Sequence, residues 1–196
     1  GGIRTPLVDV PVAALTGEPL IAALGYADAR WHRSISGPVT LIAPAETPDA
    51  PAAAIVRARR ANDVADLLAK DAATLIEPFT PDDADEVRSV ARCLSYLFSG
   101  EDAPPFAVVV SGTWALLAER ERWAEGRYLA VDLQLVLDRG DNKRAGEFDR
   151  AVAILASETV LPDVDGSTWW ADTLEASVKQ TVGVSTDLRE GGRETI

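Results

Sequence analysis

One histidine and one cysteine, His32 and Cys93, are all that this 196-residue sequence offers among the side chains that bind soft metals. A zinc centre needs several such ligands converging, so none is expected. His32, within Ala29-Arg-Trp-His-Arg33, is read as a loop or surface residue. No serine stands in a nucleophile-elbow sequence, and a triad would have to borrow this same histidine. No glycine-rich phosphate loop follows a strand, because Ser111-Gly112-Thr113 is short and reads as a hairpin turn. Carboxylates are plentiful but placed for structure. Asp82, Asp83, Asp85 and Glu86 follow Thr80-Pro81, the pattern of a capped helix start with acids facing the dipole. Asp138 and Asp141 bracket Arg139-Gly140, a loop without the alternating ligands and closing Glu of a calcium loop.

The elements that would have to position any chemistry alternate between short helices and short strands. A helix over Glu18 to Leu24 places Leu20, Ile21 and Leu24 on one face and stops at Gly25. Strands are predicted over 39–43 and 53–58, antiparallel neighbours joined by a Pro-rich turn from Pro44 to Pro51. A helix follows from Asn62 to Lys70. A stronger one runs from the Thr80 cap through Val87, Val90, Ala91, Leu94, Leu97 and Phe98 to Gly100, with Cys93 beside the stripe. Phe106 to Val110 and Trp114 to Ala118 form a hairpin, and Tyr128 to Val131 a further strand. Asp132 caps a short helix through Leu137. A longer helix from Lys143 to Thr159 uses Phe148, Val152 and Leu155, and the polar tail from Ser167 is helical with Trp169 and Trp170 near its start.

This order predicts an α/β (α+β) fold, a mixed sheet of about five strands flanked by helices. It is similar to the restriction-endonuclease scaffold, which sets an Asp near one strand and Glu-x-Lys on the next so that carboxylates hold magnesium. The strand where Glu-x-Lys should fall reads Ile55-Val-Arg-Ala-Arg-Arg60. If Arg59 takes the lysine position, Arg57 stands where a carboxylate must be, and a cation there repels metal. Glu46 and Asp49 lie nearby in the turn, and Asp9 and Asp28 are distant acids that the fold would have to bring in. Arg57, Arg59 and Arg60 have two readings, a solvated strand end or contacts to a DNA backbone.

Composition bounds the rest. A chain this long hides roughly 70% of the surface its unfolded form exposes, enough for a core without staples. A single cysteine excludes an internal disulfide and fits a reducing, cytoplasmic setting. No run approaches the ~20 apolar residues of a membrane span. Net charge is −12, whereas nucleic-acid affinity comes from neutralised phosphates, so DNA binding by this chain alone is expected to be weak. The absence of methionine and the unclosed tail lead to the expectation that the chain is part of a longer reading frame, with residues 1–165 a domain and 166–196 a helical connector to a further one.

The segment from Phe106 to Leu133, with its strand, Gly turn, Trp-led strand and aromatic-then-Asp-Leu entry to a helix, resembles the N-terminal region of large bacterial adenine DNA methyltransferases of single-chain restriction–modification and phage-defence systems. Ser177 to Glu190 resembles the helical lead-in to their methyltransferase core, and Leu24-Gly25-Tyr26 matches a recurrent early feature. The resemblance implies a nuclease-like domain that has lost its catalytic residues and holds no cofactor. Its parent would use S-adenosylmethionine, with magnesium for any cleavage, meet DNA through the full-length protein, and have another protein subunit as a possible further partner. Neither a glycine-bearing cofactor loop nor an Asn-Pro-Pro-aromatic motif occurs here. The alternative is a protein-interaction module that binds neither DNA nor cofactor.

Overall fold

The computed structural model describes residues 17–81, 85–112, 114–140, 146–163, 166–170 and 173. Over these, an open six-stranded sheet carries helices on both faces. The elements in chain order are α1 (Glu18–Ala23), β1 (Trp31–Ser36), β2 (Val39–Pro44), β3 (Ala53–Arg57), α2 (Val64–Leu67), α3 (Val90–Ser99), β4 (Phe106–Val110), β5 (Trp114–Glu119), α4 (Arg120–Ala124), β6 (Leu129–Asp132), α5 (Leu133–Arg139), α6 (Glu147–Leu155) and α7 (Ser157–Val160).

The strands lie side by side in sequence order. All neighbours are antiparallel except β3 and β4, which run parallel, so the sheet is mixed. A parallel pair needs a long crossover. The chain between Arg57 and Phe106 supplies it and carries α2 and α3. Side chains alternate across a strand, and the sheet therefore has two cores. Ile42, Ala53, Ile55, Phe106, Val108 and Leu117 face α1, α6 and α7. Val39, Ala54, Val56, Ala107, Val109 and Leu116 face α2 and α3. Strands covered on both sides must be apolar throughout. That is why β3 begins Ala-Ala-Ile-Val and β4 reads Phe-Ala-Val-Val-Val, the latter with all five residues buried.

Three predicted elements differ from the structure. His32 lies on a strand, not in a loop, since β1 pairs along β2 with His32 opposite Ala43. Of the acids after Thr80, Asp85 and Glu86 lie in no helix. Phe79 and Val87 exchange two backbone hydrogen bonds of 2.8 Å as an isolated antiparallel bridge. Asp82 and Asp83 lie outside the described residues. The helix begins only at Val90, where the Ser89 hydroxyl accepts from Arg92 N at 3.4 Å and Thr74 Oγ1 accepts from Val90 N at 2.8 Å. The long helix predicted from Lys143 is two helices, α6 and α7, broken at Ala156, whose backbone is extended. Lys143 and Asp141, and the side chains of Leu137, Phe148 and Val152, lie outside what is described. So do Asp9, Ser177–Glu190 and nearly all of the predicted tail helix. Among the described residues, no helix is long and apolar enough to cross a membrane.

The break at Ala156 serves a three-point junction. Leu24 O accepts from Ser157 N at 2.8 Å. Gly25, at φ +88°, has no Cβ and lets the Ser157 side chain close in. Tyr26, fully buried, donates its hydroxyl to Leu155 O at 2.8 Å. Leu24-Gly25-Tyr26 thus ties the first described helix to the last two.

Candidate functional site

Two regions could hold chemistry: the β2–β3 pair, where the nuclease scaffold would keep its acids, and the outer side of β5 and β6. At the first, Thr40 faces Ile55 across the ladder, and Val39 faces Val56. Directly opposed residues on one face bring their Cβ atoms to about 5 Å, the spacing a pair of metal-binding carboxylates would need. Thr40 and Ile55 occupy such a pair, both buried. No Asp or Glu occurs in either strand.

Arg57 ends β3. Its Nη2 donates to Gly37 O at 2.7 Å and lies 3.6 Å from Glu77. Arg59 donates Nε to Leu75 O at 3.0 Å. Both guanidiniums therefore spend part of their donor set bracing the strand end, while Arg60 is exposed. Among the described residues, four buried side-chain polar atoms have no hydrogen-bond partner: Trp31 Nε1, Arg33 Nε, Thr40 Oγ1 and Arg57 Nε. All belong to β1–β3. Three are N–H donors, the wrong polarity for a cation.

The other acids stay apart. Glu46 and Asp49 are exposed in the turn between β2 and β3. Asp28 accepts from the Arg30 backbone N–H and guanidinium, and these bonds hold its carboxyl below the usual range. Asp138 accepts from Gln134, and Asp85 and Glu86 are exposed. Among the described residues, no three His, Cys, Asp or Glu gather as a metal-ligand set. His32 is exposed on β1. Cys93 is fully buried against α3's side of the sheet, and burial pushes its thiol up to about 12, an unreactive state.

At the second region, the Glu119 carboxylate accepts from Glu121 N and Arg122 N, starting α4 directly after β5. The turn after α4 sets Tyr128 at the entry to β6. There an open cleft of about 220 Å³ has Phe106 and Leu117 among its lining, with Tyr128, Trp170, Arg122 and Arg127. A second, wider depression lies between α3 and α4 and shares Tyr128 with the first. Tyr128 is 40% exposed and Leu129 42%. Trp114 and Trp123 pack partly buried against the α3-side core, the latter donating to Ser95 Oγ at 3.3 Å. Sequence reasoning placed Trp114 and Tyr128 at the starts of strands. It missed the cleft, because Trp170 and Tyr128 lie far apart in the chain and meet only in the fold.

No family model, curated protein or solved structure matches this chain.

Proposed function

We propose that this chain is a nuclease-like α/β domain without cleavage activity, serving an enzyme that methylates adenine in DNA. The observation that carries the first half is the β2–β3 pair. On a nuclease-like reading the acid positions would fall on two strands that contain no carboxylate. The unpartnered buried polar atoms described there are N–H donors and a hydroxyl, and the neighbouring Glu77 pairs with Arg57. Magnesium needs oxygen ligands, so the residues of the β2–β3 pair do not fit it. S-adenosylmethionine does not fit either: Gly112 turns β4 into an antiparallel partner, not into a helix whose N-terminus could meet the cofactor. Methyl transfer therefore belongs to other sequence of the parent. The mixed sheet with helices on both faces supports the restriction-endonuclease-like reading of the scaffold, and the Phe106–Leu133 resemblance supports the methyltransferase setting.

The role left to the domain is shape: a rigid platform that positions the parent on duplex DNA, with Arg60 and the outer donors of Arg57 and Arg59 available to phosphate. The test is transfer of a labelled methyl group from S-adenosylmethionine to DNA by the protein of the complete reading frame. Label in N6-methyladenine supports the proposal, and its absence removes the methyltransferase setting. One observation favours a second reading, a protein-docking module: the net charge of −12 opposes contact with a polyanion.

A further inference from the structure

The cleft beside β6 combines three features that together specify a kind of ligand. Its floor is apolar and already desolvated, since Phe106 and Leu117 are each only 4% exposed. Two aromatic side chains, Tyr128 and Trp170, line it. Trp170 is held in place by its Nε1 bond to Ile154 O at 3.1 Å, and Tyr128 by its ring contact with Trp123, centroids 6.2 Å apart. Its rim carries Arg122 and Arg127. Both reach the same oxygen of one carboxylate, Glu125, at 3.9 and 3.2 Å. The Glu119 carboxylate also lines the cleft, but its oxygens are taken up by the Glu121 and Arg122 backbone N–H groups, and Arg127 is 63% exposed, with donors left over.

Size narrows the choice. A cavity of about 150 Å³ can hold benzene, and drug-sized ligands take roughly 300–1,000 Å³. At about 220 Å³ the cleft fits one planar ring system and leaves any substituent at its mouth, where Arg127 lies. Aromatic walls give stacking to any π-face, and a guanidinium at the mouth suits a phosphate oxygen. We propose that this cleft binds a nucleoside monophosphate unit, base inward against Tyr128 and Trp170 and phosphate outward on Arg127. The inference stands on the cleft alone and survives if the methyltransferase setting fails.

The test is titration of the full chain with deoxyadenosine monophosphate, followed by tryptophan fluorescence. Adenine and deoxyribose 5-phosphate are run separately. Saturable quenching by the nucleotide is expected, with adenine weaker and the sugar phosphate without effect. Arg127→Ala should weaken the nucleotide about five-fold, the scale of an exposed charged contact, and leave adenine unchanged. Tyr128→Ala should abolish both, and Tyr128→Phe, which keeps the ring, should restore them. Circular dichroism of each variant shows whether it has folded. The proposal is overturned if the nucleotide does not saturate, if Arg127→Ala has no effect, or if N-acetylphenylalanine amide binds as tightly as the nucleotide. The last result would assign the cleft to an aromatic side chain of a protein partner.

Discussion

Strands β3 and β4 and the β6 edge belong to one sheet, yet they face different surroundings. At the centre, Ala53 to Val56 and Phe106 to Val110 are buried against helices on both faces, and every hydrogen-bonding edge is taken by a neighbour. At the edge, Leu129 and Ala130 are exposed, and Tyr128 stands beside an open cleft rimmed by guanidiniums. The contrast separates scaffold from contact surface. A position sealed by packing on both sides has no room for substrate or metal, whereas an exposed aromatic beside spare N–H donors can still meet a partner. Among the described strands, β3 and β4 are buried along nearly their whole length, and β6 is not.

The largest test of that contrast is a charge at the centre. Ile55→Asp would bury an unpaired carboxylate opposite Thr40 and should cost about 4 kcal/mol or more, enough to unfold the chain in a urea melt. Tyr128→Ala, at the edge, should cost under about 1 kcal/mol in the same melt. Equal costs would mean the two regions do not differ as described. Next in size is the junction of α1 with α7. Gly25→Ala forces a side chain into a left-handed backbone and against Ser157, for a loss of about 2–3 kcal/mol, read as a lowered thermal midpoint. Tyr26→Phe removes one buried hydrogen bond to Leu155 O and should cost about 1–2 kcal/mol.

The pH dependence gives a smaller and more specific check. The buried Cys93 thiol is pushed from 9.0 to about 12. Between those values the unfolded thiol ionises while the folded one stays protonated, so stability falls as pH rises. The slope from this one group is at most about 1.4 kcal/mol per pH unit. Tyr26, raised by burial from 10.0, adds to the decline with the same sign. Cys93→Ala should flatten the alkaline slope of the urea midpoint without abolishing it. An unchanged slope would show that the thiol is not buried as described.

Much of the sheet was legible because its central strands are continuous apolar runs between Gly and Pro turns. Strand β1 was not. Trp-His-Arg-Ser-Ile-Ser lies at an edge with four of its six residues exposed, so its hydrophobic pattern carries no period of two and only pairing with β2 reveals it. The α3 boundary was misplaced for a related reason. Thr80-Pro81 followed by acids is a sound local start signal, but Phe79 pairs with Val87 and the helix starts at Val90, where Thr74, sixteen residues back, accepts from its N–H. The break at Ala156 has no local signal either, because its cause is a hydrogen bond to Leu24. At the candidate sites, the lack of acids within the strand that Arg57 ends could be read directly, whereas the pairing of Arg57 with Glu77 could not. The placing of Thr40 opposite Ile55, and of Trp170 beside Tyr128, depends on register and long-range packing that one sequence does not display.

The most direct measurement is nicking of supercoiled plasmid by the purified chain in magnesium and then in manganese. The plasmid is expected to stay supercoiled in both, since β2 and β3 offer a metal no carboxylate. Metal-dependent conversion to the nicked form, proportional to enzyme and stopped by chelator, would show that acids elsewhere in the chain assemble a working site and would contradict it.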